Sequence, residues 1–178
     1  MAAQKKGRRA IVSSAHLVSE AAAPLSEFEY GLIVASNAFN RWVVRCMAAA
    51  GCDDLGALDV LVLHSVNHRD REKKLADLCF VLNVEDTHTV SYALKKLTRL
   101  GLIGGARRGK EIFYTTTKHG RAACERYRQV REDCLVAAFG VFTGGGSQAL
   151  GEEVAETAEL LRAFSGLYDQ AARAASSL

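Results

Sequence analysis

The stretch TVSYALKKLTRLGLIGGARRGKEIFYTTT, residues 89–117, combines two kinds of hydrophobic pattern. Its apolar residues first recur every three or four positions, which is the spacing of one face of an α-helix. Gly101 interrupts that spacing, and the residues after it alternate as they do in a two-stranded β-hairpin. The stretch therefore predicts a helix followed by a hairpin that carries ARRGK at its tip.

A second short helix is predicted just before this stretch. KKLADLCFVL has helical apolar spacing and stops at Asn83, a residue that tolerates the left-handed conformation of a helix exit. Asp86 is then placed to cap the next helix, whose apolar side begins with Val90 and Leu94. Two short helices across a tight turn form a helix-turn-helix pattern, and the hairpin adds a wing to it.

Long helical patterns flank this central part. Residues 24–52 carry apolar side chains at helical spacing from Pro24 onward, and residues 118–178 hold two further helices separated by glycines at 144–146. Such terminal helices are longer than one small core can cover, so part of their apolar surface is expected to meet a second copy of the chain. The expected fold is mainly α, a single compact unit. It has a winged helix-turn-helix with a small β-hairpin wing (53–117) and long N- and C-terminal dimerisation helices (24–52 and 118–178).

The composition also favours a helical protein. The chain has 178 residues, 49% of them hydrophobic, and a single proline, which suits helices better than the many turns of a β-sandwich. No window approaches the roughly eighteen consecutive apolar residues of a membrane span. Residues 1–23 are basic and without sustained periodicity, so a flexible basic tail is expected there. We expect a cytoplasmic protein with no membrane segment.

Positive charge is concentrated in the middle of the chain, although the net charge is only +3. Residues 95–110 hold six cations and no acid. At 100° per residue, the helix after Asp86 has a polar side opposite its apolar side. A solvated surface is one interpretation of these residues, but a polar helix beside a basic ribbon favours contact with duplex DNA. The polar side carries His88, Ser91, Tyr92, Lys95 and Arg99, and the hairpin tip adds Arg107, Arg108 and Lys110.

At this point the sequence resembles the MarR family of bacterial winged-helix transcription regulators, over roughly residues 25–175. The resemblance is carried by LGALDVLVLHSV, KKLADLCFVL, THTVSYALKKLTRLGLI and FYTTTKHGRAA, in that order. It implies a homodimer with intertwined terminal helices that binds a pseudo-palindromic operator and releases it when a small phenolic compound or an oxidant acts. It also implies that the residues in or beside the DNA groove are Thr87, His88, Thr89, Ser91, Tyr92 and Lys95, with Arg107, Arg108 and Lys110 at the wing tip.

Two features depart from the family pattern. The wing has GGARRGK where relatives often have an acid-x-arginine sequence, so the family's arginine anchor does not carry over directly, and Arg107 or Arg108 is the candidate for that role. No cysteine precedes the first long helix, where some oxidant-sensing relatives place theirs, and this weakens an interpretation as a peroxide sensor.

The function expected from sequence is a homodimeric, sequence-specific DNA-binding transcription regulator, a repressor released by a small-molecule effector. The expected partners are double-stranded DNA, a second copy of the chain and a small aromatic effector. The alternative is a winged-helix protein-interaction adaptor without specific DNA binding. No enzyme is expected, since the sequence has neither a phosphate-cradling glycine pattern nor G-x-S-x-G.

Other residues with metal-binding, redox-active or aromatic side chains are interpreted mainly as structural residues. His64 and His68 are spaced to share a helix face, but no third metal ligand accompanies them, so no metal site and no cofactor are expected. The five cysteines are expected to be reduced core residues, with redox sensing, including an approach of Cys46 to Cys52, as the lesser alternative. Trp42 is interpreted as a dimer-interface or packing aromatic, with a ligand-cleft role as the alternative.

Overall fold

The computed structural model describes residues 22–142 and 148–178, so most of the predicted basic tail and the predicted glycine break at 144–146 lie outside the described residues. The mainly helical fold with one β-hairpin is confirmed. Its elements are α1 (Ala23–Ala49), α2 (Ala57–Asn67), a 3₁₀ turn (His68–Asp70), α3 (Leu75–Leu82), α4 (Thr87–Arg99), β1 (Ile103–Arg108), β2 (Glu111–Thr116), α5 (Lys118–Arg131), a π-helical turn (Glu132–Val136), α6 (Ala137–Phe142) and α7 (Gln148–Ala175).

The chain divides into two compact units, the first extending to Arg128 and the second running from Gln129 to Leu178. The first unit has one apolar core, to which the C-terminal half of α1, helices α2 to α5 and strand β1 contribute. The predicted apolar face of α4 is confirmed, because the side chains of Val90, Leu94 and Leu97 are all buried. The other large, fully buried side chains are Val43, Met47, Val60, Val62, Leu63, Val66, Leu78, Leu102 and Ile103.

The ends of α3 and α4 follow the predicted local chemistry. Asn83 ends α3 in the left-handed conformation, with φ of 51°. Asp86 caps α4, since its Oδ1 accepts a hydrogen bond from the backbone N–H of His88 at 2.9 Å. Gly101 follows α4 with φ of 68°, a value that glycine adopts without steric cost. The helix-turn-helix is therefore bounded by residues whose conformational preferences match their positions.

The wing is an antiparallel hairpin in which Ile103 pairs with Thr116 and Arg108 pairs with Glu111. Gly109 and Lys110 form the turn, and Gly109 has a positive φ of 62°. A third extended segment joins β2, because Lys73 and Tyr114 exchange both backbone hydrogen bonds at 3.0 and 2.9 Å. The wing is thereby tied to the residues that lead into α3.

The junction between the wing and α5 is closely packed. Thr117 Oγ1 accepts a hydrogen bond from the N–H of Gly120 at 3.0 Å and donates one to the carbonyl of Gly101 at 2.7 Å. Gly120 is buried against the carbonyl of Leu102, and a Cβ atom at this position would overlap that oxygen. Only glycine fits there.

The second unit consists of the end of α5, the π-helical turn, α6 and α7. Apolar side chains are exposed along it, including Phe139, Val154, Leu160 and Leu167. Cys134 was expected to be a core residue, but it is exposed in the single chain. None of the described helices combines the length and hydropathy of a membrane span.

Candidate nucleic-acid interface

The first turn of α4 presents three exposed polar residues, Thr87, His88 and Thr89. The backbone N–H of His88 is occupied by Asp86, and Thr89 Oγ1 donates to the Asp86 carbonyl at 2.8 Å. The Thr89 hydroxyl can therefore still accept a hydrogen bond, but its proton is engaged within the cap. Neither the Thr87 hydroxyl nor the His88 imidazole takes part in these cap hydrogen bonds.

The polar stripe continues along α4 through Tyr92, Lys95 and Arg99, which are all exposed. Tyr92 is 74% exposed, an unusual value for a tyrosine, and Lys95 Nζ lies 5.6 Å from the centre of its ring. Ser91, in contrast, is half-buried at the edge of the stripe. The structure thus brings Tyr92, Lys95 and Arg99 together on one face, with the aromatic ring beside a cation.

An open depression of about 560 Å³ runs along this face. Its floor is Ala93, and its rim includes Thr89, Tyr92, Lys95 and Arg99. Lys96 also borders it, but its Nζ lies 2.9 Å from Asp59 Oδ2 in α2. Within the described residues, the ion pairs involve neither Lys95 nor Arg99. Lys95 and Arg99 are therefore available to a polyanion, while Lys96 links α4 to α2.

The wing cations differ from one another in their surroundings. Arg107 and Lys110 are exposed and take part in none of the ion pairs within residues 22–142. Arg107 Nε donates only to the carbonyl of Gly109, at 3.3 Å. Arg108 instead forms a bidentate ion pair with Glu72, with two N–O distances of 2.7 Å. The three predicted wing residues therefore lie at the tip, but in two electrostatic environments.

Sequence reasoning missed the residues that support this interface, namely Asp59, Glu72, Lys74 and Glu111. Lys74 Nζ lies 3.0 Å from Glu111 Oε1, and that hydrogen bond and the negative charge of Glu111 raise the pKa of Lys74. These acids and cations are 36 or 37 residues apart in sequence. The sequence carries no periodic signal for such pairs, and NHRDREKK is simply a polar break in the helical pattern.

The remaining candidate residues are placed in or near the core. His64 packs edge to face on Tyr127 with ring centroids 4.5 Å apart, and burial lowers the pKa of His64. His68 is exposed, and no group of three or more metal-ligating side chains occurs among the described residues. Trp42 packs against the core, which agrees with its interpretation as a packing aromatic.

All five cysteines are free thiols, and three of them, Cys46, Cys79 and Cys124, are buried. Burial raises the pKa of Cys124 to about 11, with a further contribution from Cys52. Because the thiolate is the reactive form, this core thiol is chemically inert near neutral pH. The core interpretation holds for the three buried cysteines.

A sequence family described as a winged helix DNA-binding domain matches residues 55–120. No curated protein matches the chain, whereas many solved structures do. A cysteine-to-serine variant of MarR from E. coli complexed with operator DNA is 19% identical and covers 82% of this chain and 99% of that one, with a TM-score of 0.61. Reduced AbfR bound to DNA is 17% identical, with 80% and 98% covered and a TM-score of 0.58. A MarR-family regulator from Rhodococcus sp. RHA1 is 13% identical, with 78% and 92% covered and a TM-score of 0.59.

Residues 55–120 therefore match the class of winged helix DNA-binding domains, and they contain the helix-turn-helix and the hairpin of that class. The chain has, more particularly, the fold of the MarR regulators, and the resemblance stated from sequence is confirmed at the level of the fold. Because sequence identity to these structures is below 20%, the shared fold alone does not fix what this chain binds.

Proposed function

We propose that this protein is a homodimeric, sequence-specific DNA-binding transcription regulator of the cytoplasm, a repressor that a small-molecule effector releases from its operator. The observation that carries the proposal is the exposed stripe of Tyr92, Lys95 and Arg99 on α4, together with the wing cations Arg107 and Lys110, which form no ion pair within the described part of the chain. A helix of this kind fits the major groove, and a basic β-ribbon reaches adjacent phosphates or the minor groove.

Base readout is assigned to the side chains that can exchange hydrogen bonds with base edges, and charge neutralisation to the cations. We place His88, Ser91 and Tyr92 in the first group, with Thr87 and Thr89 beside the backbone at the helix start. The cations of α4 and the wing supply the sequence-independent attraction, which weakens as salt concentration rises. Residues 53–117 are thus the proposed DNA-binding part.

Dimerisation is assigned to 24–52 and 118–178. Helix α1 exposes Tyr30, Ile33, Val34 and Phe39, and α7 exposes apolar residues of its own. Contiguous large apolar side chains exposed on a protein surface indicate a site of contact with another protein. A twofold dimer presents two copies of α4, the proposed recognition helix, to successive major grooves roughly 34 Å apart, so the operator should be an imperfect palindrome. Two of the similar solved structures are bound to DNA.

The test is selection of bound duplexes from a random pool by the purified protein, together with its sedimentation in solution. Enrichment of a palindrome by a dimer supports the proposal. A dimer that enriches no sequence would overturn sequence-specific binding and favour a protein-interaction adaptor. A monomer that binds a single half-site would overturn the dimeric arrangement while leaving DNA binding intact.

Effector release is assigned to a cleft of about 370 Å³ between α2 and α3. Leu61, Leu78 and Leu82 give it apolar walls, and His64 lines it. The buried His64 Nε2 has no hydrogen-bond partner within the described residues, and buried polar atoms of this kind are rare. Its volume lies in the range of small-molecule sites, about 300–1,000 Å³. The volume and the apolar walls of the cleft therefore suit a small aromatic molecule.

A ligand in this cleft would act on α3, which packs against α4. A molecule that favours a displaced α3 would favour a dimer whose recognition helices no longer match the operator. We expect neutral substituted phenols to raise the melting temperature of the wild-type protein and to weaken its operator binding. The Ser65→Phe variant, which fills the cleft, should lose both effects. Equal responses of the two proteins would overturn this assignment without affecting DNA binding.

A further inference from the structure

Two ion pairs attach the end of the wing to the segment that precedes α3. Arg108 directs Nη1 and Nη2 at the two carboxylate oxygens of Glu72, and Lys74 pairs with Glu111. Arg108 and Glu111 are cross-strand partners and are the last pair of the ladder before the turn. Both ion pairs therefore hold the hairpin beside its turn, while the backbone bonds between Lys73 and Tyr114 hold it further down.

Phe113 lies beside the two cations of these ion pairs. The Arg108 guanidinium carbon is 5.0 Å from the centre of its ring, and Lys74 Nζ is 5.8 Å from it. Cations at such distances are attracted by the ring electrons. Phe113 and Glu111 are two residues apart in β2 and so share a face of the hairpin. We call Glu72, Lys74, Arg108, Glu111 and Phe113 the wing clamp.

The charges of the wing clamp cancel. It contains two cations and two carboxylates, and their ion pairs span distances of 2.7 to 3.0 Å. A phosphate that approached Arg108 would have to share or replace a bidentate carboxylate, and it would meet the repulsion of Glu72. Arg107 lies one residue earlier in β1, so strand alternation places it on the opposite face. It and Lys110 in the turn keep their charge unpaired within the described residues.

We infer that Glu72 and Arg108 are positioning residues that fix the wing relative to the recognition helix, and that Arg107 and Lys110, rather than Arg108, carry the wing's charge to DNA. The inference rests on the proposed function. The clamped segment continues directly into α3, which starts at Leu75 and packs against α4. One set of contacts thereby sets the distance between wing tip and recognition helix, replacing the acid-x-arginine anchor that the wing lacks.

The Glu72→Gln variant changes operator affinity in opposite directions for the two possible roles of Arg108, that of a positioning residue and that of a phosphate-binding residue. If the clamp positions the wing, loss of the carboxylate weakens operator binding about fivefold, an effect in the range of well-formed ion pairs. If Arg108 binds phosphate, removal of the competing carboxylate strengthens binding. Stronger binding by Glu72→Gln would therefore overturn the inference.

Salt dependence provides a second readout, with Arg107→Gln as the matched control for Arg108→Gln. Each lost phosphate contact reduces the slope of log K against log salt by about 0.9. The Arg107 variant should lose about that amount per protomer, whereas the Arg108 variant should keep the wild-type slope despite its weaker binding. The double variant Glu72→Gln/Arg108→Gln should bind as weakly as either single variant, because both remove the same contact. Additive losses or a reduced slope for Arg108→Gln would contradict the inference.

A measurement without DNA distinguishes failure of the clamp from failure of the proposed function. Amide hydrogen exchange in the free protein should accelerate severalfold across residues 106–113 in Glu72→Gln and Arg108→Gln, and should be unchanged in Arg107→Gln. Unchanged exchange in all three variants would overturn the clamp even in a protein that binds DNA. Faster exchange in a protein that binds no DNA would leave the clamp standing and overturn the regulator.

Discussion

Lys96 on the recognition helix and Asp59 in the first turn of α2 form an ion pair, with 2.9 Å between Nζ and Oδ2. The two side chains are only 28% and 14% exposed. The same carboxylate oxygen accepts the N–H of Gly56 at 2.9 Å and so also starts α2. Asp59 thus stabilises the start of α2 and also binds α4. Lys96 therefore stabilises the fold, while its neighbour Lys95 faces outward.

Loss of this pair should lower stability without a matching loss of charge at the DNA face. We expect Lys96→Met to reduce the free energy of unfolding by about 1 kcal/mol, the upper end for exposed ion pairs, since this pair is partly buried. Asp59→Ala should cost about 2 kcal/mol, because the helix cap is lost as well. Urea denaturation measures both. Lys95→Met is the control and should unfold like the wild type; equal losses in both lysine variants would refute the distinction.

Gly120 should tolerate no side chain. In an open helix, Gly→Ala stabilises a protein by up to about 1 kcal/mol. At Gly120 the added methyl group would overlap the Leu102 carbonyl and Thr116, so we expect Gly120→Ala to destabilise by about 3 kcal/mol. Gly104→Ala is the control, because a Cβ at Gly104 meets no atom within 4 Å. A melting temperature that is unchanged in Gly120→Ala would contradict the close packing at the start of α5.

Tyr92 should determine sequence preference more than overall affinity. Its exposed ring and hydroxyl group project from the middle of the recognition helix, where a side chain can meet a base edge. We expect Tyr92→Ala to lose about 1–3 kcal/mol on the selected operator and to relax specificity at one position of each half-site. Arg99→Gln, the comparison variant, should weaken all duplexes alike. Competition binding with single-base operator variants tests this, and uniform losses for Tyr92→Ala would contradict base readout.

Stability should fall in mild acid because of His64. Burial lowers the pKa of His64 below its ordinary value of 6.5, so below about pH 6.5 the unfolded chain binds this proton more readily than the folded protein does. The penalty is absent above that pH and grows as the pH falls toward the folded-state value. We therefore expect His64→Gln to lose less stability than the wild type between about pH 7.5 and about pH 5.5.

The exposed His68 provides the control for this pH dependence. His68→Gln is the matched variant, because it removes an imidazole that lies at the surface. Parallel profiles for the wild type and His64→Gln would show that the buried imidazole does not set the acid sensitivity.

The elements of the fold were predictable because their signals are local. Asn83, Asp86 and Gly101 mark helix ends through their own backbone preferences, and the apolar period of α4 identified its buried face. The wing followed from alternation and the glycine in its turn. Each of these signals lies within a few residues of the feature it specifies.

The support of the interface was not predictable, because it depends on residues that only the fold brings together. Arg108 looked equivalent to Arg107 in the sequence, yet Glu72 neutralises it from 36 positions away. Likewise Lys95 and Lys96 are adjacent, but helix geometry turns Lys96 toward Asp59. A run of cations therefore overstates the charge available to DNA, and only the tertiary pairing separates structural cations from binding ones.

The most direct test of the account is titration of the selected duplex and of a shuffled duplex of the same composition, each at about 50 mM and about 200 mM salt. The account predicts that the selected duplex binds at least about a thousandfold more tightly than the shuffled one, and that both affinities fall steeply with salt. Equal affinities for the two duplexes, or binding indifferent to salt, would contradict recognition of DNA by α4 and the wing.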